Sequence, residues 1–154
     1  MTRPVILPHK VGDGYGWRKL QGRRNWHNGI DYTTAADTGP GSVCNRAVLA
    51  MADGVVVFDK DNYNHGLRYT VPEHTGGNMV IVRSVIDGSS YYIRYLHLVG
   101  NSVSHGELVS EGQIIGEYGD AGYSFGPHLH VDFWTDAWVN IDPTQLILSN
   151  LRRQ

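Results

Sequence analysis

Cysteine is almost missing from this sequence. Cys44 stands alone among 154 residues, so an internal disulfide and a cysteine-built zinc knuckle are both excluded. Its neighbours Val43 and Asn45 supply no base, and the thiol reads as structural. No apolar run approaches the length of a transmembrane helix, and Met1–Lys10 lacks the apolar stretch of a secretory leader. The sequence therefore predicts no membrane insertion and no signal peptide. Neither sign of charge dominates: 13 Lys and Arg against 15 Asp and Glu give a net charge of −2, which speaks against a nucleic-acid partner. Also lacking is a His-Glu-x-x-His pattern, which excludes the metallopeptidases that use that glutamate as base.

Long helical periodicities are scarce, whereas glycine is plentiful, with 19 residues. Short strands joined by turns follow from that balance. Ala47–Phe58 reads as a strand, an Asp53-Gly54 turn and a second strand, with Val55, Val56 and Val57 as a buried run. Asn78–Val85 is β-branched. In Tyr91–Leu98, strict alternation puts Tyr91, Ile93, Tyr95 and His97 on one face and Tyr92, Arg94, Leu96 and Leu98 on the other. Val103, Gly106, Val109, Gly112 and Ile115 mark a repeated unit whose glycines suit tight turns on a curved sheet. His128–Trp134 is the last good strand. A short helix is expected near Asp142–Ile147, capped by Asp142 with Pro143 in its first turn. Residues 62–77 read as a long polar excursion, and residues 37–46 also look extended. The fold class is mainly β: one antiparallel sheet domain over residues 1–154, with a groove, long loops and little helix.

Histidine carries the chemistry. His27 and Asp31 are four apart around Gly29, whose freedom lets the chain turn so that both side chains reach one ion. His128 and His130 flank Leu129, and residues two apart on a strand share a face about 6.5–7 Å apart. Two histidines and one carboxylate hold zinc and leave a fourth position open for water or substrate. A further imidazole beside that position suits acid–base work on a carbonyl, which points to hydrolysis. Asp132 shares the face of His130 and reads equally as a surface carboxylate or as a group that orients a ligand. Arg18, Lys19, Arg23 and Arg24 read first as a solvated loop and second as a site edge that meets an acidic substrate. His9, His65, His74 and His105 have no motif around them and read as surface residues.

These motifs occur in an order that resembles the lysostaphin and LytM-type peptidoglycan endopeptidases. The likeness lies in Gly22–Asp31, Ala52-Asp53-Gly54-Val55-Val56, Tyr95-Leu96-His97-Leu98, the glycine repeat, Gly126–His130 and the Asp142-Pro143 ending. It covers about residues 12 to 148. The resemblance implies zinc ligands at His27, Asp31 and His130, and catalytic histidines at His97 and His128. It also implies a grooved β-sheet and hydrolysis of peptide cross-links in bacterial peptidoglycan. Where the family often has threonines before its Pro-His-Leu-His, this chain has Ala121 and Phe125, and the bulk of Phe125 favours a direct cross-link over a glycine bridge. A monomer acting on the cell wall from the periplasm or outside, in the manner of a phage lysin, is the expected setting. Two other readings stand: an inactive relative that binds wall or regulates a hydrolase, and a non-haem iron oxygenase with a two-histidine, one-carboxylate triad. The spacing of His27 and Asp31 and the spare histidines disfavour the oxygenase.

Overall fold

The structure, a computed structural model, describes residues 1–39, 41–61 and 76–151. In chain order the strands are β1 (His9–Val11), β2 (Gly16–Leu20), β3 (Arg23–His27), β4 (Ile30–Thr34), β5 (Ala47–Leu49), β6 (Gly54–Lys60), β7 (Asn78–Ile86), β8 (Ser89–Asn101), β9 (Leu108–Val109), β10 (Ile114–Tyr118), β11 (Leu129–Thr135) and β12 (Asn140–Ile141). One helix, α1 (Thr144–Leu151), closes the described chain. Strands β2 and β3 pair only with each other, and the other ten form one antiparallel sheet, seven of them along β1-β4-β11-β8-β7-β6-β9, with β10 joined to β8 and β5, and β12 joined to β11. The expectation of a mainly β chain with one antiparallel sheet and little helix matches this architecture. Among the described residues no helix is long and apolar enough to cross a membrane.

The middle of the sheet is β4, β11 and β8, lying side by side. Asp31 of β4 stands opposite His130 of β11, which in turn stands opposite Leu96 of β8. Alternation along β11 sends Leu129, Val131 and Phe133 into the core with Ile93, Tyr95 and Leu98, and turns His130 and Asp132 to the opposite face. Burial of such apolar side chains stabilises by roughly 1.5–3 kcal/mol each, so the core face fixes the register that presents the polar face. Strands β7 and β8 form a long hairpin closed by Asp87 and Gly88, both with positive φ, as a two-residue turn of the favoured handedness demands.

The glycine repeat behaves as its spacing implies. Val103, Val109 and Ile115 are buried, and Gly106 and Gly112 take positive φ in turns where Glu107 N–H donates to Ser104 O and Gln113 N–H donates to Ser110 O. The side chains of Glu107 and Gln113 accept from the N–H groups of Ser104 and Ser110, so the two turns are copies of one design. Asp142 accepts from Thr144 N–H at 2.9 Å and caps α1, which begins at residue 144 and runs on to Leu151.

Two local expectations need correction. Asp53-Gly54 joins strands β5 and β6 as read, and the two take other partners: β5 pairs with β10, and β6 with β7 and β9. Of the three valines after it, only Val56 is buried, because β6 has solvent on one side. The alternation assigned to Tyr91–Leu98 breaks at His97, as described below. The polar run over 62–77 lies outside the described residues apart from Gly76 and Gly77, and so do His65 and His74.

Candidate metal centre and its groove

The sheet face opposite the core carries a groove of about 560 Å³. It gathers all five residues singled out in the sequence: His27, Asp31, His97, His128 and His130. His27 ends β3 and is buried, and Gly29 makes the turn into β4. A Cβ on Gly29 would lie 2.6 Å from His130 Nε2, so only glycine lets the two segments approach so closely. Asp31 then enters β4 beside His130.

The three ligand-type atoms meet at short range. His27 Nε2 lies 3.1 Å from Asp31 Oδ1 and 2.9 Å from His130 Nδ1, and His130 Nδ1 lies 3.0 Å from the same carboxylate oxygen. Each imidazole is oriented by its other nitrogen. His27 Nδ1 is 2.7 Å from Gly14 O, a group that only accepts, so Nδ1 carries the proton and Nε2 presents a lone pair. His130 Nε2 faces Asp132 Oδ2 at 3.4 Å, which leaves Nδ1 as the lone-pair atom. Two nitrogen lone pairs and a carboxylate oxygen converge on one point, an arrangement that needs positive charge between them. A tetrahedral zinc ion with bonds of about 2.0–2.1 Å spaces its donors about 3.3–3.4 Å apart, so the trio fits with a shift of a few tenths of an ångström. Among the described residues this trio is the one histidine and carboxylate cluster close enough to hold an ion.

Electrostatics agree with that reading. Burial alone would raise the pKa of Asp31, but its polar contacts with His130 and His27 and the nearness of His128 hold the carboxyl well below its usual range. Burial alone would lower His130, yet Asp132 and Asp31 outweigh it and raise its pKa. The site is built to favour a cation.

Asp132 is not a surface carboxylate. It is fully covered and receives two hydrogen bonds from Arg94, a 2.8 Å bond from Trp134 Nε1 and a 3.2 Å bond from Asn28 Nδ2. Burial would push its pKa up, but Arg94 and His130 keep it lowered and ionised. The sequence reading placed Asp31 at the site and left Asp132 between two readings. Asp13 and Asp132 also line it, each paired with an arginine. Arg94 was missed as well, because only the β8–β11 register sets it opposite Asp132.

His97 owes its place to a bulge. Its φ of +66° is left-handed, a conformation costly for a residue with a Cβ, and the register with β7 skips it between Leu96 and Leu98. One left-handed residue reverses the alternation. Tyr95 and Leu98 therefore both enter the core, and His97 joins Arg94 and Leu96 on the groove face instead of sharing the face of Tyr95. The bulge leaves no backbone group unpaired: His97 N–H donates to Gly76 O, and its carbonyl accepts from Gly119 N–H. Gly77, at φ +64°, packs so closely that an added Cβ would lie 2.5 Å from the Ala121 carbonyl, and that carbonyl accepts from His97 Nδ1 at 2.7 Å.

His128, just before β11, is held the same way, its Nδ1 2.8 Å from Gly126 O. Both imidazoles thus keep Nε2 free. That of His128 is 3.7 Å from Asp31 Oδ1, and the rings of His97 and His128 lie 4.7 Å apart. Burial, followed by the proximity of His128 and His130, lowers the pKa of His97 to about 3, so its ring is neutral near pH 7 and Nε2 carries a lone pair. Tyr95, by contrast, is pure core, its hydroxyl accepting from Met51 N–H. The wall beyond His128 is formed by Tyr123 and Phe125, whose rings pack edge to face at 5.4 Å.

The basic residues before His27 are neither a loop nor all at the site. They decorate the β2–β3 hairpin, where Arg24 stacks 4.3 Å over Trp17 and Arg18 alone lines the groove. Arg18 Nη1 donates to Asp13 at 2.6 Å and to Asp31 Oδ2 at 3.1 Å, and Asp31 Oδ1 is the oxygen that faces His27 and His130.

Comparison with known proteins brings the fold and site together. The model of peptidase family M23 matches residues 25–143. The chain is 33% identical over 127 residues to peptidoglycan DD-endopeptidase ShyC of Vibrio cholerae serotype O1, an alignment covering 80% of this chain and 24% of that protein. It is 31% identical over 133 residues to glycyl-glycine endopeptidase ALE-1 of Staphylococcus capitis, covering 86% of this chain and 31% of the other. The chain thus spans about a quarter to a third of the length of these curated relatives. Among solved structures, the catalytic domain of lysostaphin from Staphylococcus simulans superposes with a TM-score of 0.66 at 28% identity, covering 90% of this chain and 92% of that domain.

Proposed function

The chain belongs to peptidase family M23, and from that premise we propose that it is a zinc endopeptidase that hydrolyses peptide cross-links of bacterial peptidoglycan. The observation that carries the proposal is the convergence of three oriented lone-pair donors beside two further imidazoles with free Nε2 atoms. His27, Asp31 and His130 are the ligands. Bound there, zinc would polarise a carbonyl and lower the pKa of water toward about 7.

The protein's own part is orientation and proton movement. Gly14 and Asp132 fix the rings of His27 and His130 through their outer nitrogens, which sets the ligand atoms before any ion arrives. His97 and His128 accept a proton at Nε2 from attacking water or return one to the leaving amine, each held in that tautomer by a backbone carbonyl. The carboxylates are unsuited to acid catalysis, since Asp132 is pinned by Arg94 and Asp31 serves the ligand set. Cell wall outside the cytoplasm is the place of action, and the acting form is a monomer.

Elemental analysis tests the assignment. Protein purified without added metal is expected to hold close to one zinc per chain, and Asp31→Ala close to none. Iron in place of zinc, with turnover dependent on oxygen, would refute the peptidase.

A further inference from the structure

Arg18 is the groove cation whose hydrogen-bonding capacity is left over. Its Nη1 is shared between Asp13 and Asp31, whereas Nε is buried without a partner and Nη2 makes no hydrogen bond among the described residues. Arg94, the other guanidinium of the groove, spends both Nε and Nη2 on Asp132. With Nε buried and Nη1 committed, Nη2 is the donor left to meet a substrate carboxylate, in a charge-assisted hydrogen bond.

Position decides what such a receptor can read. Arg18 Nη1 is only 3.1 Å from Asp31, one of the three ligand-type residues, and its side chain is still about one-fifth exposed. A group that reaches it must be carried by the substrate within an atom or two of the bond being cut. Charge favours an anion there once a dication is in place, since the groove's charged lining is then two guanidiniums and the ion against three carboxylates.

On the reading of this site as a peptidoglycan endopeptidase, we propose that Arg18 recognises a free carboxylate on the carbon that bears the scissile amide nitrogen. A direct cross-link to a diamino acid with two carboxyl groups has that carboxylate, and so does the last residue of a stem peptide with a free C-terminus. A glycine bridge has a neutral peptide carbonyl at the equivalent carbon. A cross-link to the side-chain amine of lysine has nothing there. Arg18 therefore selects direct diamino-acid cross-links, with trimming of stem-peptide ends as the same recognition on a smaller substrate.

The test uses the zinc-loaded protein and two synthetic cross-linked peptides that differ only in carrying a carboxylate or a carboxamide at that carbon. Wild-type protein is expected to show kcat/KM at least about tenfold higher for the carboxylate, as loss of a charge-assisted pair implies. In Arg18→Gln the ratio should fall to within about twofold of one with zinc content retained, and Arg18→Lys should keep part of the preference. A linear stem peptide with a free or amidated C-terminus, run in parallel, distinguishes end-trimming from cross-link cleavage. Equal cleavage of both cross-links by the wild type, or a preference that survives Arg18→Gln, overturns the inference and leaves the endopeptidase standing. Failure to cleave any cross-link overturns both.

Discussion

Four imidazoles share one groove, and every one of them has a nitrogen already committed: His27 to Gly14, His97 to Ala121, His128 to Gly126 and His130 to Asp132. Those bonds divide the residues into two predicted classes of variant. His97→Ala and His128→Ala should keep zinc and lose about 10²–10⁴-fold in activity, the usual contribution of a general acid or base. Metal analysis beside a peptide-release assay checks this, and an empty site in either variant would move that histidine into the ligand set. Asp132→Asn keeps the shape but removes the charge behind His130, so zinc affinity should fall about 10–100-fold in a competitive chelator titration. An unchanged affinity would show that Asp132 serves Arg94 and Trp134 alone.

At the scale of single elements, the segment between β4 and β5 is held by one carboxylate. Asp37 accepts from Gly39 N–H, Ser42 Oγ, Arg46 Nε and the Tyr118 hydroxyl, at 2.7–3.0 Å. Burial would raise its pKa, but these donors hold it well below the ordinary value of 3.8. A depressed carboxyl contributes stability that is fully present above the unfolded value and is lost as pH falls through and below it. Asp37→Ala should therefore cost about 3–5 kcal/mol near neutral pH by leaving Arg46 without its buried partner. The gap in urea midpoint between wild type and variant should narrow as pH drops below about 4, and a gap constant with pH would contradict the account.

The same scale shows how far the sequence could be read. Strand periodicity and glycine spacing were sufficient for β7, β8, β11, the paired turns at Gly106 and Gly112 and the capped helix, because each depends on near neighbours. The five histidine and aspartate positions were legible because they sit in ordered motifs, and the structure brings them into one groove. What period-two reasoning could not see was the left-handed turn at His97, imposed by contacts with Gly76 and Gly119 that lie some twenty residues away on either side. The pairing of β5 with β10, in place of its sequence neighbour, is likewise a long-range choice. The carboxylate–arginine pair at Asp132 and Arg94 needs the β8–β11 register before it becomes visible.

For the whole molecule, a site assembled from β3, β4 and β11 exists only when the sheet is folded, so zinc is expected to bind the native state alone. Zinc at about a thousand times its Kd should add about 4 kcal/mol of stability, visible as a rise in Tm that chelator abolishes and Asp31→Ala never shows. The groove also predicts which bonds of the wall survive. Glycosidic hydrolysis generally uses a pair of free carboxyl groups, whereas Asp132 is bound by Arg94, Asp13 by Arg18, and Asp31 is clustered with His27 and His130. The most direct measurement is therefore digestion of purified peptidoglycan by the zinc-loaded protein, with the released fragments identified by mass spectrometry. The account predicts new free amino groups at cleaved cross-links, no new reducing sugar ends, and release slowed about 10²–10⁴-fold in His128→Ala. New reducing ends without new amino groups would contradict it.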